Sequence, residues 1–409
     1  MYLRRLEIQH VRLINALTLE FGAPGWTVVL GDNGSGKSTI LQAVALAASG
    51  PALASHLIED AATLRPADLP EAEPVIRCQF QGPAHPDTRV LLSVKKGRHD
   101  FTRTKGGSRV DDIRAKRDRG FFVVGYGPGR FLPRPGEVAL PENPVRDRVE
   151  GLFSRHHKVL GTDFYGALRQ RTPEEALSFT RALKTALLAE DGMGEKLFPM
   201  LLDVDTRGKS GVKHLERLLE SRRFIVSAGR RHLKLPATAL SDGYQSMLAW
   251  IADLLGHAFL EFGPQVEAGT LRGIALIDEI DLHLHPTWQR KLVPLLKRVF
   301  PQMQFIVTTH SPLVVAALEP HEIVRLQLRE GEVVREAHRA APGLMTGTQL
   351  LTHYFDVSRA GRADLLEKER EYLELQAMGR RTKRQEDQRK KLEEELHPYW
   401  TVSAGRNGA

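Results

Sequence analysis

The chain contains 409 residues, of which 42% are hydrophobic and 26% are charged, a balance that excludes a disordered or fibrous chain. This length accommodates roughly two or three domains, or one large domain with insertions. The single cysteine, Cys78, excludes an intrachain disulfide and a cysteine-only zinc site, so we expect a buried thiol in a reducing cytoplasm. Residues 1–20 lack a secretion-signal pattern, and we expect no membrane span because no segment approaches about 18 uncharged apolar residues.

The net charge of +8 is unevenly distributed along the chain. Residues 95–119 contain ten Lys or Arg against four Asp, and residues 207–234 contain nine against two Glu. Two concentrated basic segments are what a surface that binds phosphate backbones needs, which indicates a nucleic-acid partner. The alternative is that these side chains only solvate loops, and the sequence leaves both interpretations open.

Three short β segments open the chain, two with alternating apolar residues and one with a continuous apolar run: residues 2–8, 16–21 and 26–30. A glycine-rich turn follows them, and residues 38–48 predict a helix that ends near residues 49–51. Further strands are predicted over residues 75–81, 89–95 and 121–126.

From residue 144 the periodicity becomes helical, and no strand pair is evident before Phe224. We therefore interpret residues 144–239 as a helical insert. A second core segment then begins at Leu240, with a predicted helix over residues 243–262 and predicted strands over 273–277 and 304–308. Because strands and helices alternate, we expect a sheet covered by helices.

The C-terminal part combines a hairpin pattern with a charged helical segment. Residues 322–328 and 332–335 predict a β-hairpin. Residues 364–396 are charged and helical in pattern, with a break at 379–381 that predicts a short helical hairpin rather than a long coiled coil. A solvated appendage explains this segment more simply than a docking arm.

Residues 31–38, Gly-Asp-Asn-Gly-Ser-Gly-Lys-Ser, match the phosphate-loop pattern between a predicted strand and a predicted helix. The glycines let backbone N–H groups turn inward, and the helix N-terminus adds positive potential. Lys37 would neutralise β- and γ-phosphate oxygens, and the Ser38 hydroxyl would ligate Mg²⁺. The pattern thus predicts a nucleotide-binding loop rather than a glycine turn before an ordinary helix.

The predicted strand 273–277 ends in two carboxylates, Asp278 and Glu279. Ligands collect at the carboxyl ends of buried parallel strands. Asp278 would therefore hold the Mg²⁺ shell, and Glu279 would orient or deprotonate an attacking water. A simple acidic turn is the alternative, which the phosphate loop makes less favourable.

Residues 240–245, Leu-Ser-Asp-Gly-Tyr-Gln, precede the long predicted helix, and N-capping alone would explain the Ser241–Asp242 pair. The hexapeptide also resembles the signature of ABC-type ATPases of the SMC/RecF/OLD-like branch. In that family the signature Ser and Gly, here Ser241 and Gly243, meet the γ-phosphate of ATP bound to the opposite subunit.

The same resemblance implies roles for further residues. His310, after the strand 304–308, corresponds to the switch histidine. Residues 281–286, Asp-Leu-His-Leu-His-Pro, resemble the D-loop, with Asp281 at the dimer seam. Arg12 lies where this branch places an arginine that reaches the nucleotide. His283 and His285 are spaced as metal ligands could be, but without a neighbouring third ligand the D-loop interpretation is favoured.

The resemblance implies an α/β fold: a P-loop NTPase with an ABC-ATPase head, a mixed sheet covered by helices, a helical insert and a C-terminal helical tail. The implied domains are an N-terminal ATPase lobe, the helical insert, a C-terminal ATPase lobe and a charged helical tail: residues 1–143, 144–239, 240–335 and 336–409. The implied ATP contacts are Arg12, Gly31, Asn33, Gly34, Ser35, Gly36, Lys37, Ser38, Thr39, Ser241, Gly243 and Asp281. Ser38 and Asp278 are the implied Mg²⁺ ligands, and Glu279, His310 and Lys37 the implied catalytic residues.

Several features of the family are missing from the sequence. No Gln-loop glutamine can be assigned, because residues 123–130 read Val-Val-Gly-Tyr-Gly-Pro-Gly-Arg and Gln79, a weak substitute, lies within a strand. There is no heptad arm with a Cys-x-x-Cys hook, which excludes a tethering double-strand-break ATPase. The segment after Arg335 lacks the acidic strand–helix pattern of the nuclease domain fused to OLD-family ATPases.

The chain is similar to stand-alone ATPases of anti-phage systems such as Septu and retron-linked modules. That resemblance implies Mg²⁺-dependent ATP hydrolysis, an ATP-sandwiched homodimer, a separately encoded nuclease partner and association with nucleic acid, without a membrane. One alternative is the ATP-binding subunit of a membrane transporter, which would need a Gln-loop. A second is a clamp that binds ATP without hydrolysing it, against which Glu279 argues.

Overall fold

The computed structural model describes residues 1–22, 24–82, 85–102, 110, 113, 121–132, 144–154, 159, 173–190, 194–205, 224–336, 341–357 and 362–404. Met1–Met345 and Thr346–Ala409 form two compact units. The described strands are β1 Tyr2–Val11, β2 Ile14–Glu20, β3 Gly25–Leu30, β4 Val75–Gln81, β5 Thr88–Ser93, β6 Val123–Tyr126, β7 Leu201–Val204, β8 Phe224–Ala228, β9 Arg231–Leu235, β10 Gly273–Ile277, β11 Met303–Thr308, β12 Ile323–Arg329 and β13 Glu332–Glu336.

The described α-helices of the first unit are α1 Lys37–Leu57, α2 Pro144–Glu150, α3 Pro173–Leu187, α4 Asp242–Phe262, α5 Pro286–Val299 and α6 Pro312–Val315. Those of the second unit are α7 Gly347–Phe355, α8 Ala363–Ala377 and α9 Lys383–Ala404. The structure thus has the predicted α/β fold class, with strands and helices alternating through the second half of the first unit.

A six-stranded mixed sheet in the order β13-β12-β3-β11-β10-β6 forms the centre of the first unit. Its pairs are parallel except for β12 with β13, which form the predicted hairpin. Strands β10 and β11 are buried along their whole length, as expected for parallel strands covered on both faces. The carboxyl ends of β3, β11, β10 and β6 therefore meet at one edge of the sheet.

A second, four-stranded antiparallel sheet has the order β2-β1-β4-β5. Strands β4 and β5 alternate buried and more exposed residues, because one face packs on the core and the other faces solvent. The buried Cys78 of β4 belongs to this core, as predicted from the sequence.

Helix α1 packs against strands of both sheets and is buried around most of its circumference. It continues beyond the predicted end because Gly50 adopts φ +73° and kinks the helix, after which Pro51 opens the last turns. By length and composition α1 could cross a membrane, although 72% of its most apolar window is buried inside the protein. This finding corrects the expectation that no segment has that length and composition.

The segment interpreted as a helical insert contains helices α2 and α3 but also a three-stranded antiparallel sheet in the order β7-β8-β9. Strand β7 has only four residues, too few to reveal a period of two. Gly229, with φ +64°, opens the tight turn between β8 and β9. The insert is therefore mixed in its described part.

In the second unit, helices α8 and α9 pack against each other as the predicted helical hairpin. Four buried side chains form their shared core: Tyr372, Leu375, Leu392 and Leu396. The break lies between Ala377 and Lys383, as the charged segment predicted.

Candidate functional site

The phosphate-loop sequence connects β3 to α1 at the carboxyl edge of the central sheet. Gly31, Gly34 and Gly36 all have positive φ, so the loop adopts a path that other residues rarely follow. A Cβ on Gly31 would lie 2.6 Å from the backbone oxygen of Leu326. Ser35 is buried and its Oγ has no hydrogen-bond partner among the described residues. The loop therefore combines a tight backbone path with an unsatisfied buried hydroxyl, whereas Asn33 and Gly34 at its tip are exposed.

Lys37 folds back over this loop. Its Nζ donates hydrogen bonds to the backbone oxygens of Gly31 at 2.7 Å and Asp32 at 2.8 Å. Burial lowers the pKa of the Lys37 ammonium group, and nearby carboxylates, Asp278 foremost, oppose that shift. The charge is thus held inside the loop by carbonyl oxygens that a phosphate oxygen could replace.

Ser38 and Asp278, which are 240 residues apart in sequence, meet at the edge of the sheet. The Ser38 hydroxyl donates a hydrogen bond to Asp278 Oδ2 at 2.7 Å. A hydroxyl and a carboxylate within hydrogen-bond distance of each other supply hard oxygen ligands of the type that Mg²⁺ accepts. The residues present therefore fit a magnesium ion next to bound phosphates.

Asp278 and Glu279 are held by Thr308, at the end of the neighbouring strand. The register pairs Ile277 with Val307, so the next residue of each parallel strand is brought together. The Thr308 hydroxyl donates to Asp278 Oδ1 at 2.5 Å and accepts from the Glu279 amide at 2.7 Å. Glu279 adopts φ +48°, a left-handed conformation that is uncommon for a residue other than glycine. Its carboxylate accepts no hydrogen bond from the described residues.

Ser241 occupies the N-cap position of α4 but makes no capping hydrogen bond. The capping explanation for this serine is therefore not supported by the geometry, and its side chain is exposed. Gly243 is buried, and a Cβ there would lie 2.6 Å from the backbone oxygen of His283. The next residue, Tyr244, accepts a hydrogen bond from the Met200 amide at 2.7 Å, which links α4 to the three-stranded sheet.

The D-loop and the segment that holds His310 are connected within the chain. The Thr309 hydroxyl donates a hydrogen bond to Asp281 Oδ1. His310 itself is exposed, immediately beyond β11. His285 caps α5 by accepting a hydrogen bond from the Thr287 amide. No group of three or more potential metal-ligating side chains occurs among the described residues, so a metal site built on His283 and His285 gains no support.

Arg12 lies in the two-residue turn between β1 and β2 and adopts φ +54°. Its Nη1 donates to Gln42 Oε1 at 2.7 Å and to Thr39 Oγ1 at 3.4 Å. Burial lowers the pKa of the Arg12 guanidinium. The structure thus brings Arg12 to the first turns of α1, beside the phosphate loop, in a backbone conformation that costs about 1–2 kcal/mol for a residue other than glycine.

Three residues at this edge were missed by sequence reasoning: Gln42, Thr308 and Arg130. None of them belongs to a recognisable motif. The substitute considered for the missing Gln-loop residue, Gln79, lies on β4 in the other sheet, where its amide donates to Asp87. The position after β6 is instead occupied by Arg130, whose guanidinium contacts the backbone at Asp278 and Glu279.

Sequence comparison matches two family models. One is described as "AAA domain" and covers residues 5–109, and the other as "AAA domain, putative AbiEii toxin, Type IV TA system" and covers residues 173–316. Together they span both halves of the candidate site.

The chain is 27% identical to the Septu protein PtuA of Bacillus mycoides over 98% of its own length and 51% of that protein. It is 43% identical to the retron Ec83 probable ATPase of Escherichia coli over 23% of this chain and 17% of that protein. The chain therefore spans about half or less of the length of these relatives. The SMC head domain from Thermotoga maritima superposes with a TM-score of 0.46 at 17% identity, over 83% of this chain and 100% of that chain. The sequence matches confirm the resemblance to AAA-family ATPases of the Septu and retron type.

Proposed function

We propose that this chain binds ATP with Mg²⁺ at the carboxyl edge of the central sheet and hydrolyses the γ-phosphate. The observation that carries this proposal is the meeting of Ser38 with Asp278 at 2.7 Å. Lys37 belongs to the same phosphate loop as Ser38, and Glu279 follows Asp278 at the end of β10. A nucleotide site needs all four groups at one place.

Each residue has a role in this proposal that follows from its position. The phosphate-loop amides and Lys37 bind the β- and γ-phosphates, with Arg12, Thr39 and the Ser35 hydroxyl beside them. Ser38 and Asp278 would hold Mg²⁺, which neutralises charge on the phosphate oxygens when bound. Glu279 accepts a hydrogen bond from the attacking water and receives its proton, since its carboxylate is free to do so. We assign to His310, which is exposed beyond the end of β11, a contact with the γ-phosphate.

The first test measures Mg²⁺-dependent phosphate release. Lys37→Ala should lose ATP binding, whereas Glu279→Gln should retain binding and lose turnover. Lys297→Ala is the matched control, because it removes a half-buried lysine that pairs with Glu322 far from the phosphate loop in sequence. Equal turnover in Glu279→Gln and wild type would remove Glu279 from the mechanism.

We further propose that two chains assemble around ATP. Each chain holds one phosphate loop and one signature, so a head-to-tail pair would complete two sites, with Ser241 and Gly243 supplied by the opposite subunit and Asp281 at the seam. The exposed Ser241 hydroxyl without a capping role supports this arrangement.

Light scattering of Glu279→Gln with ATP tests the assembly, and a dimer is expected. Ser241→Arg should abolish both the dimer and turnover without lowering the thermal midpoint of unfolding, because Ser241 makes no capping hydrogen bond. If Ser241→Arg leaves dimerisation and turnover intact, the shared-site arrangement is wrong.

A nucleic-acid surface is the third part of the proposal. Most of the basic segments 95–119 and 207–234 lies outside the described residues, but the described β8–β9 turn and β9 expose Arg230, Arg231, His232 and Lys234. Binding through phosphates would release counterions, so affinity should fall steeply with salt and depend weakly on sequence.

A fluorescence titration at two salt concentrations tests this surface. Charge reversal to Glu at five positions should weaken binding and flatten the salt dependence while basal turnover stays unchanged: Arg114, Lys116, Arg117, Arg222 and Arg223. Reversal of the exposed Arg380 and Arg384 in the second unit is the control. If the fluorescence does not change on addition of nucleic acid, the basic segments are solvated loops without a binding role.

The biological role proposed is that of the ATPase component of a cytoplasmic anti-phage or DNA-processing complex with a separately encoded nuclease. The Septu and retron relatives, one of which is named a probable ATPase, support the ATPase part of this role. Co-purification with a nuclease would support this role, and co-purification with a membrane permease would favour the transporter alternative. Normal ATP binding with zero turnover would favour the non-hydrolysing clamp.

A further inference from the structure

Arg130 is a buried arginine directed at the catalytic edge of the sheet. It follows β6, whose last residue, Tyr126, pairs with Ile277 at the end of β10. Because the two parallel strands end side by side, the turn after β6 lies next to Asp278 and Glu279. Only 3% of Arg130 is exposed to solvent.

The guanidinium of Arg130 binds backbone oxygens rather than a carboxylate. Nη1 donates to the carbonyl oxygens of Gly127 at 3.0 Å and Asp278 at 2.6 Å, and Nη2 donates to that of Glu279 at 2.6 Å. Its Nε has no hydrogen-bond partner among the described residues. Burial lowers the pKa of Arg130 to about 10, with the carboxylates of Asp278 and Asp281 opposing the shift, so the group remains charged at neutral pH.

This arrangement is a poor solution for stability alone. A buried charge with one unsatisfied N–H is costly, and apolar packing can replace such groups without loss of stability. The contacts of Arg130 fall instead on the peptide units on either side of Glu279.

Glu279 needs such support because its backbone is left-handed, at φ +48°. A residue other than glycine keeps this conformation only where its surroundings determine it. Thr308 holds the amide of Glu279, and Arg130 holds its carbonyl and the preceding one. Two side chains from the neighbouring strand ends thus fix both peptide units that set the direction of the Glu279 side chain.

We propose that Arg130 is a positioning residue, which holds the Glu279 carboxylate in the direction needed to accept the proton of the attacking water. This inference rests on the proposed ATP hydrolysis. Arg130 also occupies the place after β6 where a Gln-loop residue was expected, so it connects this turn to the hydrolytic acid through the backbone.

The test compares nucleotide affinity with turnover in the full-length chain. Arg130→Ala should retain the affinity for a fluorescent ATP analogue within about threefold, while kcat falls roughly tenfold to a hundredfold, the cost of a misplaced catalytic group. Arg130→Lys should recover only part of this loss, because an ammonium lacks the planar fork with which the guanidinium holds the carbonyls of Gly127, Asp278 and Glu279 at once. Millimolar guanidinium chloride should raise the turnover of Arg130→Ala and not that of wild type.

Arg148→Ala is the matched control. Arg148 is 4% exposed and pairs with Glu261, so its loss removes a comparably buried guanidinium that has no contact with Glu279. It should lower the thermal midpoint without guanidinium rescue. In the double variant Arg130→Ala/Glu279→Gln, turnover should equal that of Glu279→Gln, since Arg130 acts through Glu279.

The outcomes separate the two proposals. Absence of turnover in the wild type would overturn the proposed hydrolysis, and this inference with it. Normal turnover in both wild type and Arg130→Ala would overturn the positioning role alone. The positioning role would also be overturned if affinity and turnover fell by the same factor in Arg130→Lys, and likewise in Arg148→Ala. That result would indicate that Arg130 contributes only to folding. If Arg130→Ala does not fold, Arg130→Lys decides: a larger loss of turnover than of nucleotide affinity supports the positioning role, and equal losses contradict it.

Discussion

The Thr308 hydroxyl offers a direct test of how the two acids are held. Thr308 is fully buried, and it donates to Asp278 Oδ1 at 2.5 Å while accepting from the Glu279 amide at 2.7 Å. Thr308→Val keeps nearly the same shape and removes both hydrogen bonds. Asp278 Oδ1 loses its donor, although Ser38 still donates to Oδ2, and the amide of Glu279 is left unpaired.

The expected magnitude follows from these two contacts. A hydrogen bond to a charged group contributes about 1.5–3 kcal/mol, and a buried unsatisfied amide costs about 1–3 kcal/mol. Because the two effects share one side chain and are not additive, we expect Thr308→Val to lower the free energy of unfolding by about 2–4 kcal/mol. Turnover should also fall, by roughly tenfold to a hundredfold, because Glu279 loses one of its two backbone supports.

Thr88 provides a control with the same chemistry. It is also fully buried, on β5 in the other sheet, but its hydroxyl has no hydrogen-bond partner among the described residues. Thr88→Val removes an unsatisfied polar group, so the free energy of unfolding should stay within about 1 kcal/mol of the wild-type value or increase.

Urea unfolding followed by circular dichroism measures both variants. The midpoints give the change in the free energy of unfolding, and equal slopes show that the exposed surface is unchanged. If Thr308→Val and Thr88→Val have the same effect, or if Thr308→Val loses stability but keeps full turnover, the assigned role of Thr308 is refuted.

Three further predictions concern steric fit and burial. Gly243→Ala should reduce turnover at least about tenfold, because its Cβ would lie 2.6 Å from the His283 oxygen and would displace the D-loop; phosphate release checks this. Gly127→Ala should lower the free energy of unfolding by about 1–3 kcal/mol, measured in urea, because its Cβ would overlap the Gly151 backbone oxygen. Burial raises the pKa of the Cys78 thiol well above its ordinary value, so iodoacetamide should modify it only after unfolding, and rapid labelling of the native protein would contradict this.

The sequence by itself determined the parts of the site that are contiguous in the chain. The phosphate loop and the acidic end of β10 each lie within eight residues, and their function depends on local spacing. The predicted strands 75–81 and 273–277 coincide with β4 and β10, because buried apolar runs and clear alternation are local signals.

Local sequence signals did not predict short strands or helices that are interrupted by a kink. Strand β7 pairs with a strand more than twenty residues later, and its four residues are ambiguous without that partner. The kink at Gly50 reads as a helix end in sequence because glycine and proline usually terminate helices. Only packing of the following turn against the core continues α1.

The contacts of Arg130 and Thr308 with the two acids were decided by tertiary structure alone. Arg130 lies 148 residues before Asp278 in the chain, and Thr308 lies 30 residues after it. A single arginine after a glycine turn and a single threonine at a strand end have no pattern that marks them. They meet the two acids because β6, β10 and β11 are adjacent parallel strands that end at one edge, and strand order and register arise from the whole sheet.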